Sequence, residues 1–85
     1  MYKVQWKEEA LKSLSRINWM IAEKIRSGVE TVLAKNPYGK GKPLKGKRKG
    51  QWRFRFSEYR VIYRIEQNKL LILVVEVGHR REIYY

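Results

Sequence analysis

From Gln51 to Ile65 the chain alternates side-chain character with a period of two, which a β-strand satisfies and a helix does not. In Trp52-Arg53-Phe54-Arg55-Phe56 the aromatics fall on one face and the arginines on the other. Tyr59, Val61, Tyr63 and Ile65 repeat the pattern opposite Arg60, Ile62 and Arg64. Only Ser57-Glu58 separates the two runs, so a tight hairpin is expected. Gln67-Asn68 makes the next turn. Leu70–Val77 is apolar on both faces, the pattern of a strand with neighbours on each side. Gly78 ends that strand, and 79–85 reads as a tail forming a last short strand.

The first half of the chain reads differently. Tyr2–Trp6 is a short strand, and Lys7-Glu8-Glu9-Ala10 opens a helix with its acids in the first turn, where they complement the dipole. Leu11, Leu14 and Ile17 recur at helical spacing, and Asn18 interrupts them. A second helix is expected from about Trp19 to Lys35, with Ile21, Ile25, Val29, Val32 and Leu33 as its apolar stripe. Gly28 within it costs about 1 kcal/mol relative to alanine, which suggests close packing there. Asn36-Pro37 ends the helix. Residues 37–50 hold four glycines, both prolines and six basic residues, and read as a loop that Leu44 anchors.

The predicted architecture is one α+β domain spanning residues 1–85. Its order is β-α-α-β-β-β, with a helical hairpin packed on one face of a mostly antiparallel four-stranded sheet. Trp52, Phe54, Phe56, Val61 and Tyr63 are the expected core of the sheet. Trp6 and Trp19 are expected to pack against the core or the helices. Arg53, Arg55, Arg60 and Arg64 should line the opposite face.

A core has no use for a row of guanidiniums, so the charge distribution bears on function. Twenty Lys and Arg against eight acids give a formal net charge of +12. Ten of the basic residues lie between Lys40 and Arg64, with Glu58 the one acid among them. Clustered positive charge on a rigid sheet suits a phosphate-bearing ligand or an acidic partner. The longest apolar run, Leu70–Val75, is too short to span a bilayer. The opening residues MYKVQWKEEA lack a hydrophobic signal core, so the cytoplasm is the expected compartment.

Several chemistries lack their residues. Neither a GxxxxGK[ST] loop nor a GxGxxG fingerprint occurs. One His without Cys or Asp builds no ordinary zinc or magnesium site, and no Ser-His-Asp set exists. No metal or cofactor is therefore expected. What remains is Arg53, Arg55, Arg60, His79, Arg80, Arg81, Tyr84 and Tyr85. RNA cleavage is open to such a set, because the ribose 2′-hydroxyl is a nucleophile that the substrate itself carries. The protein must align the attack, offset charge on the phosphorane and move protons. Arginine serves the second task well and the third badly.

Taken together, Leu44-Lys45-Gly46, Trp52-Arg53-Phe54-Arg55, Tyr59-Arg60-Val61-Ile62-Tyr63 and Val77-Gly78-His79-Arg80 with Ile83-Tyr84 resemble the RelE/ParE toxin superfamily. The RelE branch, the ribosome-dependent mRNA endonucleases, is the nearer of the two. The resemblance implies a RelE-like fold and cleavage in the ribosomal A site, leaving a 2′,3′-cyclic or 3′-phosphate. It assigns Arg55, Arg60, Arg80 and Tyr84 to catalysis. Arg60 holds the phosphate, Arg80 serves the leaving group, and Tyr84 stacks on a base. Lys45, Lys47, Arg48, Lys49 and Arg53 are assigned to RNA binding, with His79, Arg81 and Tyr85 as additional candidates. His79 is the neutral-range titrating side chain that could stand in for the lysine base of familiar members. The resemblance also implies two partners, a small RelB-like antitoxin and the ribosome carrying mRNA. Two alternatives stay open: a ParE-like toxin acting on gyrase, and a nucleic-acid-binding module without chemistry.

Overall fold

The computed structural model describes residues 1–83. Strand β1 (Lys3–Trp6) leads into α1 (Glu8–Ser15) and α2 (Trp19–Ser27). The Asn18 side chain caps α2 by accepting the Met20 N–H at 2.9 Å. Helical backbone then continues through a π-turn at Gly28–Val32 and a 3₁₀ turn at Leu33–Lys35. A one-turn helix α3 (Pro37–Lys40) and a two-residue strand β2 (Lys42–Pro43) follow. After a further 3₁₀ turn at Gly46–Arg48 come β3 (Trp52–Phe56), β4 (Tyr59–Glu66) and β5 (Leu71–His79).

The strands form one sheet in the order β1-β5-β4-β3-β2, with β1 parallel to β5 and the other pairs antiparallel. This is the α+β architecture expected from the sequence. It is enlarged by α3 and β2, both cut from the stretch read as a loop. β5 lies between β1 and β4, as its two-sided apolar pattern required. It does not stop at Gly78: pairing of Arg60 with Gly78 and of Tyr59 with His79 carries it to His79. Among the described residues the tail beyond is a turn over 80–82, with no further strand.

The helices cover one face of the sheet. Ala10, Leu14, Ile25, Val29 and Leu33 close on Phe54, Val61, Tyr63, Ile72, Val74 and Val77, all buried. Trp52, Phe56 and Trp6 pack at its margin. Three of the expected inward residues lie elsewhere. Trp19 is 73% exposed, and Leu11 and Val32 are more than two-fifths exposed. The helices are short, and an eight-residue helix turns only a narrow stripe toward the sheet, so the flanking apolar positions stay in solvent. At Gly28 an added Cβ would make ordinary contacts at 3.6 Å with Phe56 and 3.7 Å with Phe54, so the packing there leaves room for a methyl group.

A β-bulge on β5 sets what each face carries. Ile62 pairs with Glu76 but Tyr63 pairs with Val74, so Val75 is the extra residue. Before it Ile72 and Val74 face the helices; beyond it Val77 does, while Glu76 and Gly78 share the opposite face with Ile62 and Arg60. No helix among the described residues is long and apolar enough to cross a membrane.

Candidate active site

The face away from the helices carries the arginines. On β3 and β4, Arg55 stands directly opposite Arg60, and Arg53 opposite Ile62. Like charges facing each other across antiparallel strands destabilise the pairing by up to about 1 kcal/mol. Arg55 is exposed, whereas Arg53 and Arg60 are half-buried with their Nε atoms sealed from solvent. Two of the three guanidiniums thus have stems packed down on the sheet, which limits their freedom and fixes where their charge sits.

A small apolar patch anchors this face. Leu44 and Ile83 close over Ile62 and are buried with it. Leu44 therefore anchors the basic loop, as the sequence suggested, to this second cluster and not to the main core. Ile83 brings the tail back across the sheet. Gly78 makes room for it, since a Cβ there would stand 3.1 Å from Ile83 Cγ1.

The edge beside the arginines is built from residues that sequence reasoning passed over. The buried Tyr63 hydroxyl donates to the Pro37 carbonyl at 2.6 Å, and burial pushes that phenol well above its ordinary pKa. This bond fixes α3 to the sheet. Gly41 follows it so closely that a Cβ would overlap Tyr63 Oη and crowd the Arg53 carbonyl at 2.8 Å. On either side of Gly41, Lys40 and Lys42 line a shallow cleft of about 230 Å³ together with Arg53 and Arg55. Lys42 is the direct cross-strand partner of Arg53. Both lysines sit in a glycine-rich basic segment that reads as solvated loop. The Tyr63–Pro37 contact and the pairing of Lys42 with Arg53, both distant in sequence, turn the segment into a wall of the site.

The other predicted residues are divided. Arg80 stands at the rim of the sheet, where its Nε meets Glu58 Oε2 at 2.7 Å and its backbone N–H donates to the Glu58 carbonyl at 2.7 Å. Arg48 pairs with Glu76 at 2.8 Å and also donates to Gln51 at 3.1 Å, which ties the basic loop to β5. Lys45, Lys47 and Lys49 surround it and are exposed. His79 and Arg81 are not part of this assembly. His79 lies opposite Tyr59, on the helix side of the sheet, with their ring centroids 5.5 Å apart. The sheet thus separates His79 from Arg53, Arg55 and Arg60. Tyr84 and Tyr85 lie outside the described residues.

Such a face presents fixed cations, two primary amines and an open approach. It can bind a phosphodiester along its arginines and offset charge that builds on the phosphorus oxygens.

Residues 4–84 match the family model described as ParE toxin of type II toxin-antitoxin system, parDE. The chain is 28% identical over 83 residues to toxin RelG of Mycobacterium tuberculosis, covering 98% of this chain and 95% of that protein. Its fold superposes on the toxin–antitoxin complex RelBE2 of the same organism with a TM-score of 0.89 at 26% identity, over 93% of this chain and 98% of that one. The isolated RelE toxin of Escherichia coli shares the fold with a TM-score of 0.76 at 21% identity, over 93% and 84% of the two chains.

Proposed function

The chain belongs to the ParE toxin family of type II toxin–antitoxin systems, and from that premise we propose that it arrests growth by cutting messenger RNA in the ribosomal A site. One observation carries this reading: Arg53, Arg55 and Arg60 are gathered with Lys40 and Lys42 on one open sheet face. Arg55 stands directly opposite Arg60, and a phosphate between them can take charge-assisted hydrogen bonds from both guanidiniums. The target stays open, since the family model is described as ParE while a curated relative is toxin RelG.

In this reading the phosphate 3′ to the attacking ribose lies across Arg55 and Arg60, with Arg53 on its flank. Lys42, in its uncharged amine form, takes the 2′-hydroxyl proton, the step for which guanidinium is unsuited. The 2′-oxygen bonds to phosphorus and the arginines offset the phosphorane charge. The bond to the 5′-oxygen then breaks, and that oxygen takes a proton from a water beside Arg80, which Glu58 holds at the rim, while Lys42 returns its proton to solvent. The products are a 2′,3′-cyclic phosphate and a 5′-hydroxyl. By the family resemblance Tyr84 stacks on a neighbouring base.

The partner that restrains the toxin is proposed to be a small acidic antitoxin of the RelB kind laid over the same face. A formal charge of +12 favours such a partner in both rate and orientation. The test is inducible expression of wild type and Arg80→Ala, with 5′ ends of cellular mRNA mapped after induction. New ends within translated codons, absent from the variant, are expected. Growth arrest without such ends, accompanied by loss of gyrase supercoiling in vitro, would overturn the reading.

A further inference from the structure

We propose that the cleft between the α1–α2 turn and the end of β5 is a second ligand site, which takes one ribonucleotide on the helix side of the sheet. The inference deepens the RNA reading above, because it gives that polyanion a second point of attachment. The cleft measures about 490 Å³, within the range of small-molecule sites. It lies across the sheet from the arginine face.

Its lining suits a base and a phosphate. Arg16 comes from the end of α1 and Arg81 from the turn after β5, so two chain segments each supply a guanidinium. Glu82 is the carboxylate in the wall, and its Oε1 is engaged by the His79 backbone N–H at 2.9 Å. Two cations against one committed anion favour a negatively charged guest. Tyr59 and His79 form an aromatic wall above Ile17 and Val77. A base can lie against that wall.

The hydrogen-bonding edges are arranged to match. His79 Nδ1 accepts the Arg81 N–H at 3.2 Å, which fixes the ring and leaves Nε2 as its donor edge. Asn18 uses its oxygen to cap α2, so its amide NH₂ remains for the cleft. Arg80 and Arg81, adjacent in sequence, part at the rim. The first turns to Glu58 beside the arginine face and the second into the cleft. A strand leaving the arginine face past Arg80 therefore meets Arg81 next. The nucleotide could belong to that strand or to ribosomal RNA.

Backbone amide NMR of the ¹⁵N-labelled chain tests this with adenosine 5′-monophosphate and, separately, a 2′-O-methyl RNA hexamer. The monophosphate should shift the amides of Ile17, Asn18, Gly78 and Arg81 saturably. In Arg16→Ala/Arg81→Ala, with its spectrum otherwise retained, the apparent affinity should fall at least about tenfold, while shifts at Arg53 and Arg55 persist. A hexamer binding at least tenfold tighter than the monophosphate, and shifting both faces together, assigns the nucleotide to the cleaved strand. Equal affinities, with weaker 70S ribosome binding by the double variant, assign it to ribosomal RNA. Shifts confined to the arginine face overturn the proposal, as does a hexaglutamate peptide that moves the cleft amides where the monophosphate does not. Failure of the underlying reading looks different: the cleft binds the monophosphate, yet wild type cuts no ribosome-bound mRNA.

Discussion

The two faces of the sheet are made by alternate residues of the same strands, yet one holds the main apolar core and the other gathers the charge. Toward the helices, Phe54, Val61, Tyr63, Ile72 and Val74 are buried among apolar neighbours. Away from them, Arg55 opposes Arg60 and the apolar contribution shrinks to Leu44, Ile62 and Ile83. A small domain has little stability to spare, and here the excess charge is held on the face that the core does not need. Charge concentrated on one rigid face is better evidence of a site than charge scattered over a surface.

That contrast can be broken from either side. The largest effect is expected from the helix side: Ile72→Ala should lose about 2–5 kcal/mol of stability, read from the midpoint of chemical denaturation. On the other face Arg55→Gln should slow mRNA cleavage on programmed ribosomes by about 10²–10³-fold. The same change should leave stability equal or raised by about 0.2–1 kcal/mol, because it removes one of two opposed cations. Equal destabilisation by both substitutions would erase the distinction between the faces.

The hinge between the faces gives a smaller effect. Gly41→Ala forces a methyl group onto Tyr63 and the Arg53 carbonyl, so a loss of about 1–3 kcal/mol is expected, together with weaker cleavage as Lys42 moves. Gly28→Ala should do the opposite and add up to about 1 kcal/mol, since its φ of −61° is helical and the methyl group meets only ordinary contacts. Smallest of all, Glu58→Gln should change thermal stability by less than about 1 kcal/mol, because its ion pair with Arg80 is half-exposed. Cleavage should nevertheless fall severalfold as Arg80 loses its tether; no change would remove Glu58 from the site.

Much of this was legible from residue order. The period of two in 51–65 placed Arg53, Arg55, Arg60 and Arg64 on one face and the aromatics on the other, and the hairpin at Ser57-Glu58 set Arg55 against Arg60. Local spacing suffices for such features because strand geometry is itself local. Trp19 shows the limit. Helical spacing identifies an apolar residue but does not say how much of a short helix the sheet can cover.

Lys40, Lys42 and His79 mark the same boundary from the functional side. The sequence determined the strands, the facing of their side chains and the concentration of positive charge. It could not decide that Lys42 borders the cleft, because that depends on its pairing with Arg53 and on the Tyr63–Pro37 bond between segments 26 residues apart. Nor could it decide that His79 and Arg80, neighbours in the chain, part company at the rim. The bulge at Val75 and the direct pairing of His79 with Tyr59 made that decision, through contacts between strands that no local pattern encodes.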